Sequence, residues 1–149
     1  MMYRAKTIEG NFWTHGYYVH LTDAKNNESH RIYCGYAESL PGQDGKRDFI
    51  GDFDEIDPDT LSMSTGLTDS NGKLIYEGDI VRYTRTNVRI EGRKSETIVE
   101  ECRVYWDEKQ ACFRYRAKVS CGHVTGLLIF DDERADSVKT EVIGNIYEK

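Results

Sequence analysis

Four histidines and four cysteines are the residues of this 149-residue chain best suited to metal or thiol chemistry. His15, His20, His30 and Cys34 lie close together, and all four are acceptable zinc ligands. Their spacings match no common finger, and strand alternation would put His15 and His20 on opposite faces. Cys121 and His123 form the local thiol–imidazole pair, with Cys112 not far upstream. Two such ligands do not close a tetrahedral site, and nothing marks the third group a nucleophile's base requires. The stretch from Asp52 to Asp59, DFDEIDPD, offers oxygen ligands for a hard cation. Ile56 stands where a calcium loop wants a ligand, however, and Asp57 where it wants glycine, so a solvated acidic turn is favoured. Glu77 and Asp79 flank Gly78 and are the best-placed paired carboxylates. Capping and turn formation beside a strand is their simpler role. No Gly-rich phosphate loop, G-x-S-x-G or H-E-x-x-H occurs. The expectation is no catalytic residue, no bound metal and no cofactor.

Arg103, Tyr105, Arg114, Tyr115 and Arg116 combine phosphate-contacting charge with rings on which bases could stack. Residues 82–118 hold ten Lys/Arg against six Asp/Glu, although the whole chain carries a net charge of −6. Residues 38–60 are the acidic extreme, with eight acids against Lys46 and Arg47. Glu96, Glu100, Glu101, Asp107 and Glu108 interrupt the basic strands, which favours a mixed-charge surface or a subunit interface over a nucleic-acid groove. Opposite charge in two zones also permits attraction between copies of the chain.

The elements that must carry these residues read as strands. Ten Tyr, five Phe and two Trp against two Pro favour β-structure. In residues 2–37, Tyr17, Val19 and Leu21 share one strand face and Ile32, Cys34 and Tyr36 another, with Asp23–Asn27 as the connecting turn. Residues 39–48 read as a polar loop, and Asp57 caps a single helical turn opened by Pro58. Asp69-Ser70-Asn71-Gly72 is a tight turn, and Lys73–Tyr76 the strand that follows it. Gly78 then breaks the chain at a position where a positive φ or a close backbone approach is expected. Long strands follow to Lys118, with reversals at Glu91–Lys94 and Asp107–Gln110. On them Cys102, Val104 and Trp106 oppose Val99, Glu101 and Arg103, and Arg114 and Arg116 oppose Phe113 and Tyr115. Leu127–Phe130 reads as a buried strand or short helix, and Thr140–Tyr147 as the last strand. A Gly-Asp step before a Val/Ile-rich strand points to a small SH3-like barrel from about residue 61.

Hydrophobic residues make up 38% and charged residues 31% of the chain, which suits a soluble globular protein. No apolar run approaches the ~20 residues that span a bilayer. The start, MMYRAKTIEG, lacks the apolar run of a signal peptide, so cytoplasmic location and four reduced, mostly buried thiols are expected.

The string GLTDSNGKLIYEGDIV closely resembles the signature of the YopX family of phage and prophage proteins. IDPDT (56–60) resembles that family's "vDPeT" element, FWTHGY (12–17) its "W-x-x-G-y" strand, and VIGNIYE (142–148) its closing "viGNiye". The landmarks occur in the family's order and span nearly the whole chain. The resemblance singles out Gly66, Leu67, Asp69, Gly72, Ile75, Tyr76, Glu77, Gly78, Asp79, Gly144 and Asn145 as signature positions. It implies the same SH3-like barrel over 61–149, which with the strands read from alternation makes a mainly β protein of little helix, an N-terminal antiparallel segment over 1–60 followed by the barrel. The family is functionally uncharacterised. The expected role is therefore a non-enzymatic accessory protein acting through association with its own copies or with a phage or host protein. Nucleic-acid binding through strands 82–118 is the alternative.

Overall fold

A computed structural model describes residues 2–34, 38–41, 47–50, 52–87, 96–119, 122–127 and 137–148. The chain forms two compact units, Met1–Ser64 and Thr65–Lys149. Among the described residues all regular structure is strand, apart from one 3-10 turn at Pro58–Thr60. No helix there is long and apolar enough to cross a membrane.

The first unit is an antiparallel sheet of strand order β6-β3-β2-β1-β7. Its strands are β1 (Tyr3–Lys6), β2 (Trp13–Thr22), β3 (Glu28–Tyr33), β6 (Phe53–Glu55) and the start of β7 (Ser62–Thr68). Asp23 closes the β2–β3 hairpin by accepting from the backbone N–H groups of Lys25 and Asn27 (2.7 and 2.9 Å). Gly16 is required by close approach: a Cβ there would lie 2.0 Å from the Tyr33 carbonyl oxygen. That explains the glycine of the W-x-x-G-y strand. Ala5, Ile32 and Ile56 form the core, with Tyr3, Tyr18 and Leu61 against it. Asp57 caps the 3-10 turn through the Asp59 N–H, as its sequence predicts. The segment read as a polar loop instead contains a two-stranded ribbon, β4 (Glu38–Pro41) with β5 (Arg47–Ile50).

The second unit holds β8 (Leu74–Tyr76) and a five-stranded antiparallel sheet of order β12-β11-β10-β9-β13. Here β9 is Asp79–Asn87, β10 Glu96–Asp107, β11 Cys112–Val119, β12 Gly122–Leu127 and β13 Ser137–Asn145. Ile75, Val81 and Val104 are its buried centre, covered by Phe113, Tyr115 and Val142. The sheet does not close among the described strands, so the expected barrel is not what this order shows. The outer edge of β13 is covered in another way. Ser70 and Thr140 pair backbone to backbone and through the Ser70 hydroxyl (2.9 and 2.8 Å), and the Asp69 carboxylate accepts the Val142 N–H (3.0 Å). A turn with two polar side chains thus occupies donors and acceptors that a closing strand would have taken. The Glu91–Lys94 reversal, Cys121 and residues 128–130 of the Leu127–Phe130 segment lie outside the described residues.

Candidate functional site

Of the signature residues, Asp69, Tyr76, Glu77, Gly78, Asp79 and Asn145 converge into a largely buried joint within the second unit. Asp69 accepts backbone N–H groups from Asn71 and Lys73 with one oxygen (2.8 and 2.9 Å) and from Val142 with the other. Burial pushes its carboxyl up, but the N–H groups of Val142, Lys73 and Asn71 and the Lys73 charge outweigh that, holding it below the usual value. Asp79 is fully buried and accepts from the Tyr76 N–H (2.9 Å) and from Asn145 Nδ2 (3.0 Å). Asn145 in turn accepts the Tyr147 N–H (2.9 Å). Glu77 accepts the Trp106 N–H at 3.3 Å.

Gly78 sits between the two acids at φ +80°. Its N–H donates to the Val104 carbonyl (2.9 Å), and its own carbonyl accepts from Ile146 (3.0 Å). A Cβ at this position would meet Ile146 at 3.2 Å. Conformation and crowding both call for glycine here. Gly66 and Gly72 also have positive φ, Ile75 is core, Tyr76 is buried, Leu67 is exposed, and Gly144 adjoins the bulge after Val142. These groups tie β8, β9, β10 and β13 together, and the carboxylates accept from backbone N–H groups and, at Asp79, from the Asn145 side chain as well.

The basic strands give a different picture. Arg103 lies directly opposite Arg116, and Tyr105 opposite Arg114, so these four share one face of the sheet. The Arg116 guanidinium stands 5.2 Å from the centre of the Tyr105 ring. Tyr115 corrects the sequence reading: it lies opposite Val104 and packs into the core, since strand alternation turns it away from the arginines. Arg114 is also less available than expected. Its side chain is only 19% exposed and bonds Asp107 (3.4 Å) and Gln110 (2.9 Å). On the same face Arg82 pairs with Glu101 (3.2 Å) and Lys139 with Glu141 (2.9 Å). Arg103 and Arg116 are exposed, and neither enters an ion pair among the described residues.

The N-terminal candidates are rearranged. His20 and His30 are cross-strand partners on one face with Tyr18, whereas His15 lies on the other face of β2. Cys34 is in a separate group, where the Thr14 hydroxyl contacts its sulfur (2.9 Å) and donates to Asp54 (2.5 Å). Although Cys34 is exposed as a residue, partial desolvation of its sulfur pushes the thiol up; the Thr14 hydroxyl opposes this and the Asp54 carboxylate adds to it. A thiol held protonated is a poor nucleophile. Of the cysteines expected to be mostly buried, Cys102 is buried, Cys112 is half-buried and Cys34 is exposed, and these three are free. Burial, with Glu100 nearby, pushes Cys102 up to about 11.

Sequence reasoning missed three associations. Thr14 and Asp54 are far apart in sequence and gave no signal for their meeting. Ile8, Phe12, Trp13 and Phe53 line a groove of about 900 Å³, with Ile8 and Phe12 well exposed. The His20–His30 pairing did have a signal, because the two residues are equidistant from the middle of the Asp23–Asn27 turn.

Joint and sheet together define an all-β protein whose most distinctive residues build its fold. The chain belongs to the YopX protein family, whose model matches residues 2–149. No curated protein and no solved structure matches it.

Proposed function

We propose that this is a non-enzymatic phage or prophage accessory protein that acts in the host cytoplasm by protein–protein association, first of all with its own copies. The observation that carries this reading is the Arg103–Arg116 pair. Two like charges directly opposite on neighbouring strands destabilise a sheet, and this pair is exposed and enters no ion pair with an acid among the described residues. An anionic partner would remove that repulsion. Tyr105, half-buried beneath Arg116, makes the spot a pre-arranged Arg–Tyr surface of the kind enriched at interface centres. Residues 38–60 of a second copy supply complementary charge, with eight acids against two bases.

Nucleic-acid binding is the second reading, because the same arginines could meet phosphates. The interleaved Arg82–Glu101, Arg114–Asp107 and Lys139–Glu141 pairs weigh against a continuous phosphate track. Affinity purification of the tagged protein from phage-infected cells, with and without nuclease, separates the two. A protein partner survives digestion, whereas a nucleic-acid partner disappears.

A further inference from the structure

The inner face of the N-terminal sheet carries a row of rings, Tyr3, Tyr18, His30 and His20, that ends at Glu28. Tyr3 and Tyr18 are 5.8 Å apart between ring centres, and Tyr18 and His30 6.0 Å. The His20 and His30 rings stack at 4.6 Å with an interplanar angle of 5°. One ligating atom from each of His20, Glu28 and His30 lies within 4.8 Å of those of the other two. The Tyr18 hydroxyl sits 2.6 Å from His30 Nδ1.

We propose that His20, His30 and Glu28 bind a borderline divalent cation such as zinc, with Tyr18 as the positioning residue. Two imidazoles and a carboxylate suit zinc, nickel or copper better than calcium or magnesium, which prefer all-oxygen shells. Ligands on tetrahedral zinc stand about 3.3 Å apart, given bonds of roughly 2.0–2.1 Å. The present separations therefore have to shorten. His20 and Glu28 are exposed and His30 half-buried, so the shortening is asked of side chains with room to turn on strands already paired in register. The phenol supports the assignment. When His30 Nδ1–H donates to the Tyr18 oxygen, the ring's lone pair is left on Nε2, which is how outer partners orient metal-binding histidines. Three protein ligands leave a fourth position for water. An ion here would clasp β2 to β3 near their turn.

Equilibrium dialysis of the full chain against zinc tests this, using a Cys34→Ser background to remove the exposed thiol as a competitor. One zinc per chain is expected. His20→Ala and His30→Ala should each weaken binding at least about tenfold, and Tyr18→Phe by about tenfold. Glu28→Gln, an exposed change at a strand end, gives a second variant that spares the fold. Zinc should also shift the imidazole nitrogen resonances of His20 and His30 and leave those of His15 in place. Acid should weaken binding, because protons compete for the same nitrogens. Absence of saturable one-to-one binding overturns the proposal. So does unchanged affinity in a His20→Ala/His30→Ala double variant, or a shift at His15 instead.

Discussion

The signature joint and the exposed face of the five-stranded sheet both place charged side chains on strands, acids in one and arginines in the other, and treat them in opposite ways. At the joint, Asp69 and Asp79 are buried and every described contact of their carboxylates is a donor that the fold needs satisfied. On the sheet face, Arg103 and Arg116 are exposed, alike in charge and directly opposed. The first arrangement is satisfied within the unit; the second leaves two like charges opposed among the described residues, and the proposed association is what would relieve it. Distinctive sequence therefore marks where the fold is fixed, and the less distinctive strands carry the exposed charge on which the proposed association rests.

The sharpest way to break this comparison is to remove the most buried acid. Asp79→Ala strips acceptors from the Tyr76 N–H and from Asn145 inside the unit, and should cost about 3 kcal/mol in a denaturant titration. A midpoint close to wild type would mean that Asp79 is held for chemistry rather than for the fold.

Gly78→Val comes next. It forces a β-branched residue to φ +80° and against Ile146, so a loss of about 2 kcal/mol is expected from the same titration.

Asp69→Asn should cost less, about 1–2 kcal/mol, by presenting an amide where three N–H groups need a carboxylate. It also carries a pH signature. The folded carboxyl titrates below its unfolded value, so its contribution is fully present above about pH 4 and fades as pH falls through the folded value. Acid unfolding of the wild type should be steeper below about pH 4 than that of Asp69→Asn. Equal slopes would place the acid sensitivity elsewhere.

Arg103→Glu with Arg116→Glu should have the smallest effect on the monomer, within about 0.5 kcal/mol, because both side chains are exposed. A much larger loss in thermal unfolding would show that the face belongs to the fold after all.

Much of this was readable from local pattern. The Asp57–Pro58 cap, the Asp69–Gly72 turn, the positive φ at Gly78 and the two faces of β10 each follow from rules that act over a few residues. What escaped depends on residues distant in sequence. That Asp69 and Ser70 cover the edge of β13 rests on pairings across some seventy positions, and no turn rule announces them. Alternation already placed Tyr115 with Phe113, away from Arg114 and Arg116, so grouping Tyr115 with the arginines as one surface conflicted with it. Arg114 is less available than its sequence suggests for another reason: its partners Asp107 and Gln110 lie across a hairpin whose register the sequence leaves open.

Sedimentation equilibrium decides whether the Arg103–Arg116 face joins copies of the chain, comparing wild type with Arg103→Glu/Arg116→Glu at tens of micromolar in low and high salt. The expected result is a wild-type oligomer in low salt that weakens as salt screens exposed charge, and a folded, monomeric double variant. A wild type that is already monomeric in low salt, or a double variant that associates as strongly, would contradict it.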